Sequence, residues 1–412
     1  MKRDVVIQKY GGSSVADVEK IQRVAQRVVS SRREGNDVVV VVSALGDTTD
    51  NLISLARQIT DNPAERELDM LVSTGEQVSC ALLAMAIHSL GEDAISFTGA
   101  QVGIITDNSF TKARIIDINA KRIEDALNND KIVIVAGFQG ANLDHDITTL
   151  GRGGSNLTAV ALAKVLNAKA CEMNTDVEGV FTADPRIVKD ARKIDRISYE
   201  EMFELASLGA QVLQPRSIEF AMKFGVPIHV RSSFSKKQGT IISKEVSSME
   251  DTVVSGVAIN KDEAKVTICD VPDKPGIAAK IFRGIAKEDI NVDMIVQNVS
   301  RTGATDVSFT VPSGDLARTI KAAKDISKKV GAGDITFDKD IAKVSIVGIG
   351  MRSHSGIAAN MFEALAESGI NIEMISTSEI KISCVVNKRC GPDAVRAIHS
   401  KFGLGKKRKT RA

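Results

Sequence analysis

Near the start of the chain a β-branched run ends in a lysine, two glycines and two serines: Val5-Val6-Ile7-Gln8-Lys9-Tyr10-Gly11-Gly12-Ser13-Ser14. A strand built this way can deliver a cation and bare backbone amides to an anion. Glycine lets the backbone approach closely, and free N–H groups at the start of a following helix favour negative charge. Phosphate is the anion that fits. The same residues also make an ordinary strand–turn–helix corner with a solvated lysine, and neither the P-loop spacing nor GxGxxG is present.

The elements that would position this lysine alternate through the first 230 or so residues. Val38 to Val42 is an unbroken valine run, as expected of a strand buried on both faces. Ile132 to Ala136, Ala170 to Met173 and Pro227 to Val230 read as further strands. Val18, Ile21, Ala25 and Val28 recur at helical spacing, and Leu82 to Leu90 and Ala159 to Leu166 also read as helices. Strands alternating with helices predict a mostly parallel sheet covered on both faces. Ligands bind such sheets at the carboxyl ends of the strands, where the turns after Lys9, Ala136 and Asn174 fall.

A length of 412 residues predicts two or three domains, and 43% hydrophobic residues suffice for full cores. Aromatics make up only 4%, with no Trp, which argues against base stacking on aromatic platforms. The formal net charge of +2 argues against a general nucleic-acid or membrane binder. The basic excess sits in Lys406-Lys407-Arg408-Lys409-Thr410-Arg411, which reads as a solvated tail. Five scattered cysteines without a CxxC pair predict buried thiols in a reducing, cytoplasmic setting, with no disulfide framework or zinc site. No signal peptide or apolar run long enough to span a bilayer is expected.

From about residue 261 a repeat begins. Lys261-Asp-Glu-Ala-Lys-Val-Thr-Ile leads to Pro275-Gly276-Ile277-Ala278-Ala279 and then Ile290-Asn291-Val292-Asp293-Met294-Ile295. Lys339-Asp-Ile-Ala-Lys-Val-Ser-Ile leads to Ser355-Gly356-Ile357-Ala358-Ala359 and then Ile370-Asn371-Ile372-Glu373-Met374-Ile375. Each copy reads strand, glycine turn, helix, strand and a further hairpin-like stretch, so two copies of one small α+β module are expected. A polar linker, about Ser243 to Thr252, precedes them.

With these features stand Thr74-Gly75-Glu76, Phe97-Thr98-Gly99, Gly137-Phe138-Gln139-Gly140, Thr148-Thr149-Leu150-Gly151-Arg152-Gly153-Gly154-Ser155, Thr175-Asp176-Val177 and Thr182-Ala183-Asp184-Pro185-Arg186. Together they make the chain resemble the bacterial aspartokinases over its whole length. The resemblance implies a mostly parallel three-layer α/β sandwich of the amino-acid-kinase type (1–245), then two α+β ACT modules (261–337 and 338–405) and the basic tail (406–412). It further implies a homo-oligomer or α2β2 assembly through the ACT modules. Met249 could open a separately made C-terminal subunit, or be an ordinary linker residue.

The implied reaction moves the γ-phosphoryl of ATP, with Mg²⁺, to the side-chain carboxylate of aspartate. A carboxylate is already ionised, so charge neutralisation and alignment are needed and a general base is not. By resemblance, Lys9 balances charge on the phosphoryl, with donors from Gly11, Gly12 and Ser14. Thr175, Asp176, Asp184 and Arg186 belong to the nucleotide site. Arg152 clamps a substrate carboxylate in a bidentate fork, Glu76 accepts from the substrate ammonium, and Ser43, Thr49, Gly153 and Ser155 complete that pocket. Arg152 also reads as a surface arginine in a flexible loop, and Glu76 as a charge at a helix N-terminus.

Three positions depart from the family pattern. Asn156 stands where an aspartate is usual, Asn174 where an aromatic is common, and Gln211 where a lysine is expected near the phosphates. Losing one preorganised charge typically costs roughly a hundredfold in rate. The implied aspartate kinase therefore has two alternatives: a catalytically weakened, regulatory amino-acid-binding homologue, or a kinase for another amino-acid carboxylate.

In the regulatory half, the resemblance implies feedback by lysine, threonine or both. Asp273, Gly276, Ile277 and Ala278 would present amides at a helix start, facing Asn291 with Gln297 and Asn298 nearby. Asn371, Ile372 and Thr377 are the candidates in the second module. Asn291 and Asn371 also read as turn residues before a strand. Ser355 frees a turn that proline would rigidify.

Overall fold

The computed structural model describes residues 3–210, 212–244, 253–298 and 303–405. The chain forms two compact units: Met1–Val180, Lys193–Ser207 and Gln211–Ser247 make one, and Phe181–Arg192, Leu208–Ala210 and Ser248–Ala412 the other. Met249, most of the 243–252 linker, Gln211 and the basic tail lie outside the described residues.

The first unit is built on an eight-stranded sheet. Its order is Arg196–Ser198, Thr240–Ser243, Ile228–Ser232, Ala170–Thr175, Val5–Tyr10, Asp37–Val42, Ile132–Ala136 and Ala94–Phe97. All neighbours are parallel except Ile228–Ser232 with Thr240–Ser243. Val38, Val39, Val40, Val41 and Val42 are all at 0% exposure, so both faces of that strand are covered, as its unbroken apolar run requires. On one face, helices Val18–Arg33 and Thr74–His88 bury Ile21, Val24, Val28, Leu83 and Ile87 against Val38, Val40 and Ile134. Helices Gly154–Val165 and Pro215–Phe224 make the third layer. Asp17 caps the first long helix by accepting from Lys20 N at 2.9 Å.

A second sheet, in the order Ile115–Ile118, Ile104–Thr106, Gln139–Ala141 and Ile147–Thr149, has no counterpart in the expected strands. Three- and four-residue strands are too short to show an alternating pattern. This sheet fixes the point from which the glycine loop after Thr149 departs.

One expectation is corrected here. The stretch Glu65–His88 is 24 residues long and contains an 18-residue window with a mean hydropathy of 1.5, apolar enough by length and composition to cross a membrane. In the structure half of that window is buried inside the protein, and it includes the buried carboxyl of Glu76. Its apolarity is that of a core helix pair.

The second unit contains two four-stranded sheets. One runs Ile295–Gln297, Ala304–Pro312, Glu263–Pro272, Ile335–Asp338, covered by helices Ile277–Ala286 and Leu316–Val330. The other runs Gly256–Asn260, Ile341–Val347, Lys381–Asn387, Met374–Thr377, covered by helices Ile357–Glu367 and Gly391–Lys401. The repeat is thus two copies of one module. Segment 181–192 joins this unit: Ala183, Val188 and Ala191 pack with Val257, Val344 and Ile398. Thr182 Oγ1 bonds His399 Nε2 at 3.0 Å and Leu404 O at 3.1 Å.

Equivalent residues of the two copies make reciprocal ion pairs. Lys265 of the first reaches Glu373 of the second at 2.8 Å, and Lys343 of the second reaches Asp293 of the first. Glu263 adds a buried carboxylate on Lys343, where the second copy has Ile341.

Candidate active site

Four strands of the large sheet end beside one cavity of about 510 Å³. Lys9 comes from the end of Val5–Tyr10, Ser43 follows Asp37–Val42, Phe138 follows Ile132–Ala136 and Thr175 ends Ala170–Thr175. Gly11, Gly12, Thr49 and Glu76 line the same cavity, as do Arg152, Gly153, Ser155 and Asn156 from the glycine loop and the helix it starts.

Lys9 approaches along Gly11: its Nζ lies 3.5 Å from where a Cβ on that glycine would be. Burial pushes its pKa down to about 8, against the opposing attraction of Asp176. Glu76 is 3% exposed, and burial pushes its carboxyl up to about 7. Its Oε1 accepts from Ala44 N at 3.0 Å, while its buried Oε2 has no hydrogen-bond partner. An orphaned carboxylate oxygen of this kind is what a ligand ammonium would satisfy. Arg152 is exposed, and no hydrogen bond or ion pair joins its guanidinium to another described residue. Ser43 Oγ and Ser155 Oγ are linked at 3.0 Å.

The loop carrying Arg152 is held from below by residues that sequence reasoning missed. Asp69, fully buried, accepts from Thr149 N at 2.8 Å, Thr149 Oγ1 at 2.6 Å and Thr111 N at 2.9 Å. Arg216 donates to Leu150 O and Ala113 O, both at 2.7 Å. Gly153 sits at φ 78°, a left-handed conformation that favours glycine, and caps the helix start. Gln214 also lines the cavity. In sequence Asp69 is one acid among several on a helix, and nothing local marks it.

The whole chain has matching counterparts. The amino acid kinase family model matches residues 4–232, and ACT domain models match 265–330 and 344–402. An aspartokinase of Mycolicibacterium smegmatis is 53% identical over 406 residues, covering 97% of this chain and 96% of that protein. The chain belongs to the aspartokinase family. Among solved structures, E. coli aspartokinase III in complex with aspartate and ADP (R-state) is similar at a TM-score of 0.82 and 25% identity, covering 97% of this chain and 99% of that one. Its complex with lysine and aspartate (T-state) gives 0.76 and 25% over the same shares.

Not every residue expected of an aspartokinase site faces the cavity. Ser14 is fully buried; its N–H bonds Gly11 O at 2.9 Å and its hydroxyl pairs with Ser233 Oγ at 2.6 Å, so both groups are engaged inside the protein. Gly11 N is directed at Asn174 O at 3.4 Å. Asp176 accepts from Thr175 Oγ1 at 3.0 Å and acts on Lys9 through its charge. Asp184 and Arg186 belong to the other unit and chelate each other, with Arg186 Nη2 2.8 Å from Asp184 Oδ2. Gln211 lies outside the described residues. Asn174 is fully buried and neither atom of its amide finds a partner.

The effector candidates are spread over both ACT modules. Gly276 caps helix Ile277–Ala286 at φ 88°, Ala278 lies in its first turn, and Asp273 sits in the preceding turn. Asn291, Asn371 and Thr377 are exposed, and Gln297 lies on an edge strand. Asn298 and Ile372 line one cavity of about 440 Å³, with Glu373 and Asp306.

Proposed function

We propose that this cavity holds the terminal phosphate of ATP against the side-chain carboxylate of L-aspartate, and that the chain is an aspartate kinase forming 4-phospho-L-aspartate. One observation carries the reading: Lys9 and Arg152, two cations without acidic partners at ion-pair distance among the described residues, line one cavity with the half-satisfied carboxylate of Glu76. Lys9 offsets charge that develops on the transferring phosphoryl. Arg152 takes the α-carboxylate of the acceptor and Glu76 its ammonium, leaving the side-chain carboxylate free to attack. The E. coli relative with aspartate and ADP bound supports both ligands.

Mg²⁺ would arrive with ATP, held largely by phosphate oxygens. The product would feed synthesis of lysine, threonine and methionine. The E. coli lysine complex supports lysine as an effector at the ACT modules, and threonine follows from the resemblance. Feedback of either kind requires different effector affinities in the active and inactive states. Assembly through the ACT modules and a cytoplasmic setting complete the proposal.

Hydroxamate trapping of the acyl phosphate, with ATP, Mg²⁺ and aspartate, with and without lysine and threonine, tests it. Absence of product at high enzyme concentration rejects it. Asn156, which lines the same cavity as Lys9, favours a second reading in which catalysis is weakened and amino-acid binding is the main work. Normal turnover by the wild type disposes of that reading. A substrate panel with aspartate as best acceptor disposes of a kinase for another carboxylate.

A further inference from the structure

Gln214 precedes helix Pro215–Phe224, and its backbone is fixed: its carbonyl accepts from Ser217 N at 3.0 Å and Ser217 Oγ at 2.7 Å. Pro215 in the first turn pre-sets the helix start. The side chain leans across the glycine loop. A Cβ on Gly153 would meet Gln214 Cγ at 2.1 Å and Cβ at 2.5 Å, so only glycine leaves room for it there. Gly153 therefore serves the loop twice, by its left-handed backbone and by the absence of a side chain under Gln214.

The consequence is a carboxamide held against the residue next to Arg152. It lines the same cavity and makes no hydrogen bond to another described residue. An amide on a clamped stem, half-buried at a site whose ligands are anions, is a donor awaiting an acceptor. It is neutral, so it supplies direction without adding to the charge of Arg152.

We propose that Gln214 is a substrate-contacting residue, whose carboxamide N–H donates to the acceptor carboxylate that Arg152 clamps. The proposal rests on the reading of this cavity as the acceptor site. It also assigns Gln214 a part in specificity: an acceptor lacking that carboxylate leaves the amide unpaired, which a site built around a hydrogen bond penalises.

The experiment is steady-state kinetics on the full chain, varying aspartate at saturating ATP and ATP at saturating aspartate. Three proteins are compared: wild type, Gln214→Met and Gln214→Glu. Methionine keeps the packing on Gly153 and removes the donor. Glutamate sets a carboxylate against a carboxylate. The expected result for Gln214→Met is a KM for aspartate raised about tenfold, with the KM for ATP within about twofold. Gln214→Glu should raise the aspartate KM by about a hundredfold. If Gln214→Met binds aspartate like the wild type, or if both KM values rise together in both variants, the residue is only packing and the proposal fails. Thermal melts identify a variant that does not fold, and calorimetric titration with aspartate then reads the remaining one. Absence of any acyl phosphate from the wild type is a different failure, that of the kinase reading itself.

Discussion

Thr149 gives both of its donors to one buried carboxylate, its N–H to Asp69 Oδ2 at 2.8 Å and its hydroxyl to Asp69 Oδ1 at 2.6 Å. Thr149 is the last residue of its strand, and the loop with Arg152 begins immediately after it. The pair therefore ties the entry of that loop to helix Glu65–Val72, which also lines the cavity. Removing the acceptor leaves these buried donors, and Thr111 N, without partners. Asp69→Ala should destabilise the protein by about 3 kcal/mol and raise the KM for aspartate, because Arg152 loses its fixed approach. Asp69→Asn, which keeps one acceptor, should do less of both. Thermal unfolding and kinetics on the two variants check this; an unchanged KM in Asp69→Ala would mean that Arg216 alone holds the loop.

Glu76 makes binding and stability respond to pH in opposite directions. Burial raises its pKa from 4.5 to about 7, so the folded chain keeps a proton that the unfolded chain releases. Stability from this group is highest below the unfolded value of 4.5 and declines as pH rises to about 7. The total change is about 3 kcal/mol. Attraction for an ammonium requires the charged form, so the KM for aspartate should fall as pH rises through about 7. Glu76→Gln should flatten both curves. A KM that does not change between acid and neutral pH in the wild type would detach Glu76 from the substrate.

How much of this could be seen beforehand differs between the two ends of the cavity. Lys9, Ser43 and Thr175 sit at strand ends, and the buried strands Asp37–Val42 and Ile132–Ala136 announce themselves by continuous apolar runs. Their ligand-facing ends follow from the rule for parallel sheets. Asp69, Gln214 and Arg216 act on a loop distant in sequence, and no spacing marks a contact between residues 66 or 80 positions apart. A serine beside two glycines reads as a phosphate ligand, while its hydroxyl pairing with Ser233 is a tertiary contact that no local pattern marks. Segment 181–192 was placed by its motif with the first half, yet Val188 and Ala191 found their apolar neighbours in the regulatory unit. The repeat was legible as two modules. The ion pairs between its copies were not, since they join side chains through space.

The substitution at position 156 should show in the alkaline limb of the pH profile. With burial dominating and Asp176 the only opposing charge, Lys9 has a pKa of about 8, down from 10.5. The charged form that the phosphoryl needs is lost as pH rises through about 8. In kcat/KM for aspartate, this limb and the ionisation of Glu76 should enclose a narrow optimum between about 7 and about 8. Asn156→Asp places a carboxylate in the same cavity and should move the alkaline limb up by about one unit. It should also increase the rate above pH 8, where the wild type has lost most of its charged lysine. A limb that stays in place would show that Asn156 does not act on Lys9 electrostatically.

In the regulatory unit the two reciprocal ion pairs are unequal, and that inequality is testable. Lys265 and Glu373 are each partly exposed, at 25% and 21% of the side chain, and water screens their attraction. Lys343 is 3% exposed and faces two carboxylates, Glu263 and Asp293. Burial and the nearby Asp293 raise the pKa of Glu263, while Lys343 opposes them. Removing Lys343 leaves two like charges together with one of them buried. Lys343→Met should therefore destabilise the chain by about 3–5 kcal/mol, whereas Lys265→Met should cost about 1 kcal/mol or less. Adding Glu263→Gln to Lys343→Met should recover much of the loss, because the buried charge goes with its partner. A double variant as unstable as Lys343→Met alone would show that the loss does not come from the buried charge of Glu263.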